Sequence, residues 1–174
     1  MKNIVICGDR QVGKSTLVSR LEELITVPVY GFRTKSMVIR EDGGHDVYIF
    51  RASDKERKLS EGNLLASCGA GEMNINKEVF ETLGVQYIRE AEEGGVIIMD
   101  ELGFMESDAF GFQKAVLDAL DGEIPVIATV KSGDPDNEFL NKVRTHENAD
   151  LYMIDENNRD GLYDALSALV VSSL

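Results

Sequence analysis

Apolar positions recur along this chain with two different periods. Asn3-Ile4-Val5-Ile6-Cys7 is a short β-branched run that predicts a buried strand. Within Thr16 to Ile25, Leu17, Leu21 and Leu24 recur at helical spacing. Val27 to Thr34 leads into Ser36 to Arg40, and His45 to Arg51 returns after Glu41-Asp42-Gly43-Gly44. Two β-rich runs around a Gly-Gly turn predict an antiparallel hairpin. Residues 52–76 are polar and glycine-containing with little periodicity, which predicts a long, mostly irregular connection. Connections of that length are uncommon unless functional, so this one is a candidate cover for a ligand.

The second half alternates more regularly. Phe80, Leu83, Tyr87, Ile88 and Ala91 mark an amphipathic helix over Lys77 to Glu93, closed by Gly94-Gly95. Val96-Ile97-Ile98-Met99 is a continuous apolar run, the pattern of a parallel strand covered on both faces. A helix is marked by Phe112, Val116, Ala119 and Leu120, and a strand by Pro125 to Val130. Phe139, Leu140 and Val143 mark a short helix, Leu151 to Ile154 a strand, and Leu162, Ala165, Leu166 and Leu169 a last helix. The alternation predicts an α/β fold with parallel core strands and an inserted hairpin. With no internal repeat and no linker, residues 1–174 read as a single domain.

Composition narrows the partners. A net charge of −13 and a pI near 4.5 disfavour direct binding to nucleic acid or to anionic membrane surfaces. Any positive potential for an anionic ligand must then be local. Cys7 and Cys68 stand in no metal spacing; Cys7 reads as a small buried hydrophobe and Cys68 as part of a glycine-containing loop. Their scarcity, a first strand in place of a signal peptide, and the lack of any long apolar run predict a cytoplasmic protein.

The local potential has an evident source. Gly8-Asp9-Arg10-Gln11-Val12-Gly13-Lys14-Ser15 matches G-x-x-x-x-G-K-[ST], between a predicted strand and a predicted helix. Glycines let the backbone wrap closely so that successive N–H groups point inward at a phosphate chain. The helix N-terminus adds free N–H groups and the positive end of its dipole. In this reading Lys14 reaches the β- and γ-phosphates of a nucleoside triphosphate such as ATP or GTP, Ser15 ligates Mg²⁺, and Thr16 lies near the α-phosphate. Asp9, Arg10, Gln11 and Val12 lend mainly backbone.

The strand Val96–Met99 runs directly into Asp100-Glu101. A carboxylate at the carboxyl end of a buried strand sits at the ligand-binding edge of such a sheet. Asp100 is thus a candidate to orient Mg²⁺, and Glu101 to orient or deprotonate an attacking water. Asp100-Glu101-Leu102-Gly103 nominally fits the Asp-x-x-Gly of GTPase switches. The matching guanine reader is missing: Asn141-Lys142-Val143-Arg144 places a cation where an acid must accept from the base.

The segment Val96 to Glu106, with its Asp100-Glu101-Leu102-Gly103-Phe104-Met105-Glu106, resembles the signature of the THEP-type (cancer-related) nucleoside-triphosphatases. Gly31-Phe32-Arg33-Thr34 and Asn158-Arg159-Asp160 match two further motifs of that family, in order along the chain. The resemblance implies a three-layer P-loop sandwich with a RecA-like, mostly parallel sheet, in which one strand separates the P-loop strand from the Asp-Glu strand. It implies Mg²⁺-dependent hydrolysis of ATP, GTP and other triphosphates. It also implies that Glu106 supports the site and that Asn158 and Arg159 lie near the base or ribose. One departure is Gly71-Glu72-Met73-Asn74, where the family tends to have Gly-(Lys/Arg)-Tyr-Gly.

That departure leaves open which cation faces the transferring phosphoryl group. Arg33, Lys131, Arg144 and Arg159 are the candidates, each with an alternative life as a surface cation. Thr129 either senses the γ-phosphate or simply fills a strand. Phe104 and Met105 are candidates to pack under the loop, and His45 and His146 read as surface residues. Two other functions use the same loop: a small-molecule kinase, with Arg51, Lys55, Arg57 and Lys58 in a lid, and a non-catalytic nucleotide-binding regulator.

Overall fold

In a computed structural model, residues 2–41, 43–69 and 71–174 are described, with Val38 described in its backbone only. The strands among them form one eight-stranded sheet in the order β5-β4-β3-β2-β6-β7-β1-β8. They are β1 (Asn3–Gly8), β2 (Val29–Ile39), β3 (His45–Arg51), β4 (Leu64–Gly69), β5 (Glu72–Ile75), β6 (Val96–Leu102), β7 (Val126–Lys131) and β8 (Ala149–Met153). Strands β2, β6, β7, β1 and β8 run parallel, while β3 and β5 oppose their neighbours.

The continuous apolar runs are explained by the layers. Successive strand residues face opposite sides, so a strand covered twice needs apolar residues at every position. On β1, Ile4 and Ile6 join Leu17, Leu21, Ile98, Ile127, Leu166 and Val170 beneath the helices α1 (Lys14–Glu22) and α6 (Arg159–Ser173). Val5 faces the other way, to a cluster with Phe32, Ile97, Met99, Phe112, Val116 and Leu140. That second cluster is roofed by α3 (Val85–Arg89), α4 (Phe110–Asp121) and α5 (Glu138–Arg144). Phe112 is its centre, with ring centroids 5.3 Å from both Phe32 and Phe80.

The central strands position the site. β7 lies between β1 and β6, so one strand does separate the P-loop strand from the Asp-Glu strand. In register, Gly8 pairs with Lys131 and Ile6 with Thr129, while Arg33 of β2 pairs with Asp100 of β6. The carboxyl ends of all these strands therefore meet at one edge.

Several expectations need correction. Residues 52–76 are not mostly irregular: they hold a 3₁₀ turn, Glu61–Asn63, and the strands β4 and β5. These extend the hairpin into a four-stranded antiparallel run at the sheet edge far from β1, so β4 and β5 do not cover the phosphate loop. β5 carries no alternation because backbone pairing with β4 at the sheet edge, not a buried face, holds it; β5 is exposed throughout, whereas Leu65, Ala66 and Cys68 of β4 are buried. Cys68 belongs to β4 and is buried, not in a loop.

The helix expected over 77–93 is shorter and composite: α2 (Lys77–Val79), a π-helical turn (Phe80–Gly84) and α3. The hairpin turn closes through Gly43 N–H to the Arg40 carbonyl at 3.0 Å, and Asp42 lies outside the described residues. His146 is largely covered and lies 3.5 Å from Asp121, not free on the surface. Among the described residues no helix is long and apolar enough to cross a membrane.

Candidate active site

The phosphate loop joins β1 to α1. Gln11 at φ 63° and Gly13 at φ 111° hold left-handed backbone in the loop, the kind of turn whose N–H groups can gather as a concave nest. The first turn of α1 holds no acid of its own, so its N-terminal N–H groups and the positive end of its dipole are left to the loop. Lys14 is buried, and its Nζ donates to the carbonyls of Gly8 (2.8 Å) and Asp9 (2.7 Å). Asp9 in turn accepts from the Ser132 hydroxyl, which ties the loop to the end of β7.

The two predicted halves converge. Ser15 Oγ donates to Asp100 Oδ1 at 2.9 Å, and Thr129 Oγ1 donates to the same oxygen at 2.8 Å. Lys14 Nζ lies 2.9 Å from Glu101 Oε1. The three strands β1, β6 and β7 thus bring Lys14, Asp100, Glu101 and Thr129 together across long sequence distances.

Asp100 has no exposed surface, and its Oδ2 has no hydrogen-bond partner. A buried carboxylate oxygen left without a donor is costly unless a cation serves it. Arg33 supplies charge from one side at 3.7 Å, but its guanidinium is committed to Glu22 at 2.5 Å and to Ser19 at 3.3 Å. Burial pushes the Glu22 carboxyl above its ordinary range, against the pull of Arg33. Ser15 Oγ and Asp100 are hard oxygen donors, and Mg²⁺ commonly takes one or two protein oxygens and fills its octahedron with waters and phosphate. The residues present fit that ion. Among the described residues no group of three or more His, Cys, Asp or Glu forms an all-protein metal cage.

The backbone around Asp100-Glu101 is set from β2. Gly31 has φ 90°, and a Cβ there would lie 2.1 Å from the Ile98 carbonyl oxygen, so glycine alone lets β2 approach β6 this closely. Thr34, three residues on, accepts from the Glu101 N–H at 3.3 Å. Gly103 N–H donates to Glu106 Oε2 at 3.0 Å, and Glu106 is buried with its Oε1 unpartnered. Desolvation lifts the Glu106 carboxyl to about 7 despite the stabilising Gly103 N–H and Lys131.

The remaining candidates separate. Arg144 donates to the Lys131 and Asp134 carbonyls and to Asn141, and so braces the segment after β7 instead of facing the loop. Asn158 spends its side chain on Asp155 N–H and the Met153 carbonyl, holding the turn into α6. Arg159 lines a cavity of about 280 Å³ with Gly13, Thr16, Leu17, Arg20 and Asp160, beside the N-terminus of α1. Phe104 is 43% exposed and therefore not core, while Met105 packs against the cluster around Phe112. Arg51 is clamped by Glu90 through two bonds of 2.8 Å. Lys55 and Lys58 line a separate cavity with Leu83 and Tyr87, while Arg57 lies near enough to Glu22 to pull its carboxyl down electrostatically. The Glu22–Arg33 pair carried no signal in the sequence; Thr34 did, as the last residue of Gly31-Phe32-Arg33-Thr34.

Fold and site together define a P-loop NTPase: a parallel sheet, a phosphate loop feeding a helix, and a strand-end carboxylate pair one strand away. A family model described as NTPase matches residues 3–167. The chain is 31% identical over 170 residues to the nucleoside-triphosphatase THEP1 of Thermotoga sp. (strain RQ2), covering 96% of this chain and 94% of that protein. It is 32% identical over 182 residues to the nucleoside-triphosphatase THEP1 of Thermofilum pendens, covering 98% and 96%. Its fold matches the crystal structure of THEP1 from the hyperthermophile Aquifex aeolicus with a TM-score of 0.76, at 24% identity, over 97% of this chain and 98% of that one. The solution structure of a human cancer-related nucleoside triphosphatase matches with a TM-score of 0.70, at 25% identity, over the whole of both chains. The chain belongs to this NTPase family of THEP1-type nucleoside-triphosphatases.

Proposed function

We propose that this chain, working as a single domain over residues 1–174, is a Mg²⁺-dependent enzyme that hydrolyses ATP, GTP and other nucleoside triphosphates to diphosphate and phosphate. The observation that carries the reading is the contact of Lys14 with Glu101 at 2.9 Å beside that of Ser15 with Asp100 at 2.9 Å. A phosphate-binding cation and a base are thereby within reach of one reacting group.

The loop N–H groups and Lys14 hold the β- and γ-phosphates. Ser15 and Asp100 would hold Mg²⁺, which would supply charge neutralisation at the phosphate oxygens. Lys14, drawn to the phosphates, releases Glu101, whose carboxylate then orients a water and accepts its proton. The water oxygen bonds to the γ-phosphorus as the bond from that phosphorus to the bridging oxygen breaks. The electron pair stays on the diphosphate, and the proton passes from Glu101 to the products. Most of the acceleration is positioning and preorganised charge. Arg159 and the cavity beside Thr16 receive the nucleoside.

The test is phosphate release from a panel of triphosphates, with and without Mg²⁺, in the parent and in Glu101→Gln. Loss of the base is expected to lower kcat by about 10²- to 10⁴-fold while nucleotide affinity is kept. Full turnover in Glu101→Gln would remove Glu101 from the mechanism.

A further inference from the structure

Lys131 ends β7 as the register partner of Gly8, the first residue of the phosphate loop. Its backbone is pinned twice: Arg144 donates to its carbonyl, and the next residue, Ser132, donates its N–H to the Gly8 carbonyl at 3.3 Å. The side chain is guided as firmly. A Cβ on Gly103 would come within 3.3 Å of Lys131 Cδ and 3.4 Å of Nζ, so the stem lies close along the Gly103 backbone. On its other side Nζ stands 5.4 Å from the centre of the Phe104 ring. The ammonium ends 3.8 Å from Glu101 Oε2, while Lys14 reaches Oε1 at 2.9 Å.

Two lysines therefore bracket the carboxylate proposed as base, one from the loop and one from the neighbouring strand. Of the other cations considered for this place, Arg33 is engaged with Glu22 and Ser19, and Arg144 with the segment after β7. Lys131 also opens on a cavity of about 250 Å³ with Asp9, Arg10 and Phe104, beside the start of the loop and away from the cavity that holds Arg159.

We propose that Lys131 is a further catalytic residue: with triphosphate bound, its ammonium leaves Glu101 for the γ-phosphoryl oxygens and balances the charge that builds on them during transfer. This rests on the hydrolytic reading above. Lys14 already serves the bound triphosphate, so Lys131 has most to add in the transition state. It makes a local cation unnecessary at Gly71-Glu72-Met73-Asn74, which lies at the β4–β5 edge.

The experiment compares Lys131→Met, which keeps the stem and removes the charge, with Lys131→Arg. Lys131→Met is expected to lower kcat by about 10²- to 10³-fold, the size seen when one transition-state donor is removed, with KM changed less than about 3-fold. Binding of ADP with aluminium fluoride and Mg²⁺ should weaken by a similar factor, while binding of ADP alone is kept. Lys131→Arg should recover part of kcat. A parent-like kcat in Lys131→Met would overturn the proposal. So would an equal loss of ADP and ADP–fluoroaluminate affinity, or a methionine variant as active as the arginine one. Thermal melting of both variants separates charge loss from misfolding, and Lys131→Gln replaces the methionine variant if that one melts early. Turnover surviving in Glu101→Gln would instead count against the base alone, because fluoroaluminate binding reads Lys131 without it.

Discussion

Lys14 and Glu106 show how much single side chains carry in this molecule. Lys14 is held by two carbonyls and by Glu101, so its position is set before any ligand arrives. Replacing it with alanine removes a charge-assisted contact worth about 1.5–3 kcal/mol. Nucleotide affinity should fall about 10- to 100-fold, read by calorimetric titration; unchanged affinity would sink the phosphate-loop assignment. Glu106 carries a pH signature. Its carboxyl is lifted by burial from 4.5 to about 7, so the folded state holds its proton more tightly than the unfolded chain. Its contribution is full below about 4.5 and is lost as pH rises through about 7. Glu106→Gln should flatten that fall, on the order of 2–3 kcal/mol at most, in urea unfolding from pH 5 to 8. Of these residues, Lys14 was legible in the chain because its motif is contiguous. The burial of Glu106 was not, because only packing reveals desolvation.

Among the elements, β2 does the most positioning. It brings Thr34 to the Glu101 N–H and Arg33 to Asp100, and it reaches both only through the close approach at Gly31. Gly31→Ala combines a left-handed backbone with a Cβ 2.1 Å from the Ile98 oxygen. It should cost roughly 3 kcal/mol and lower the melting temperature by roughly 5–10 °C, measured by circular dichroism. An unchanged melting point would mean that β2 and β6 separate without penalty. Strands β1, β6 and β7 were readable as elements because double coverage demands unbroken apolar runs. Strand β5 was not, because an edge strand held by backbone pairing needs no pattern in its side chains, and β4 was missed because its apolar run, Leu64-Leu65-Ala66, is short.

For the whole molecule, one sheet carries both apolar clusters, and β1 and β6 contribute residues to each. Unfolding should therefore follow a single cooperative transition, coincident by circular dichroism and tyrosine fluorescence. Triphosphate with Mg²⁺ at about 100 times Kd should stabilise it by about 2.7 kcal/mol. Two separated transitions would divide the chain into more than one unit. The amino-acid sequence by itself determined the ligand class, the α/β alternation and the carboxylates Asp100 and Glu101, because these rest on contiguous patterns: a glycine loop, an apolar period and a strand that ends in acid. Only the tertiary structure decided which cations stand at Glu101, that Arg33 and Arg144 are engaged elsewhere, and that Leu64–Gly69 and Glu72–Ile75 extend the sheet beyond β3. Those outcomes depend on distances between residues far apart in the chain, set by strand register and burial, which no local pattern encodes.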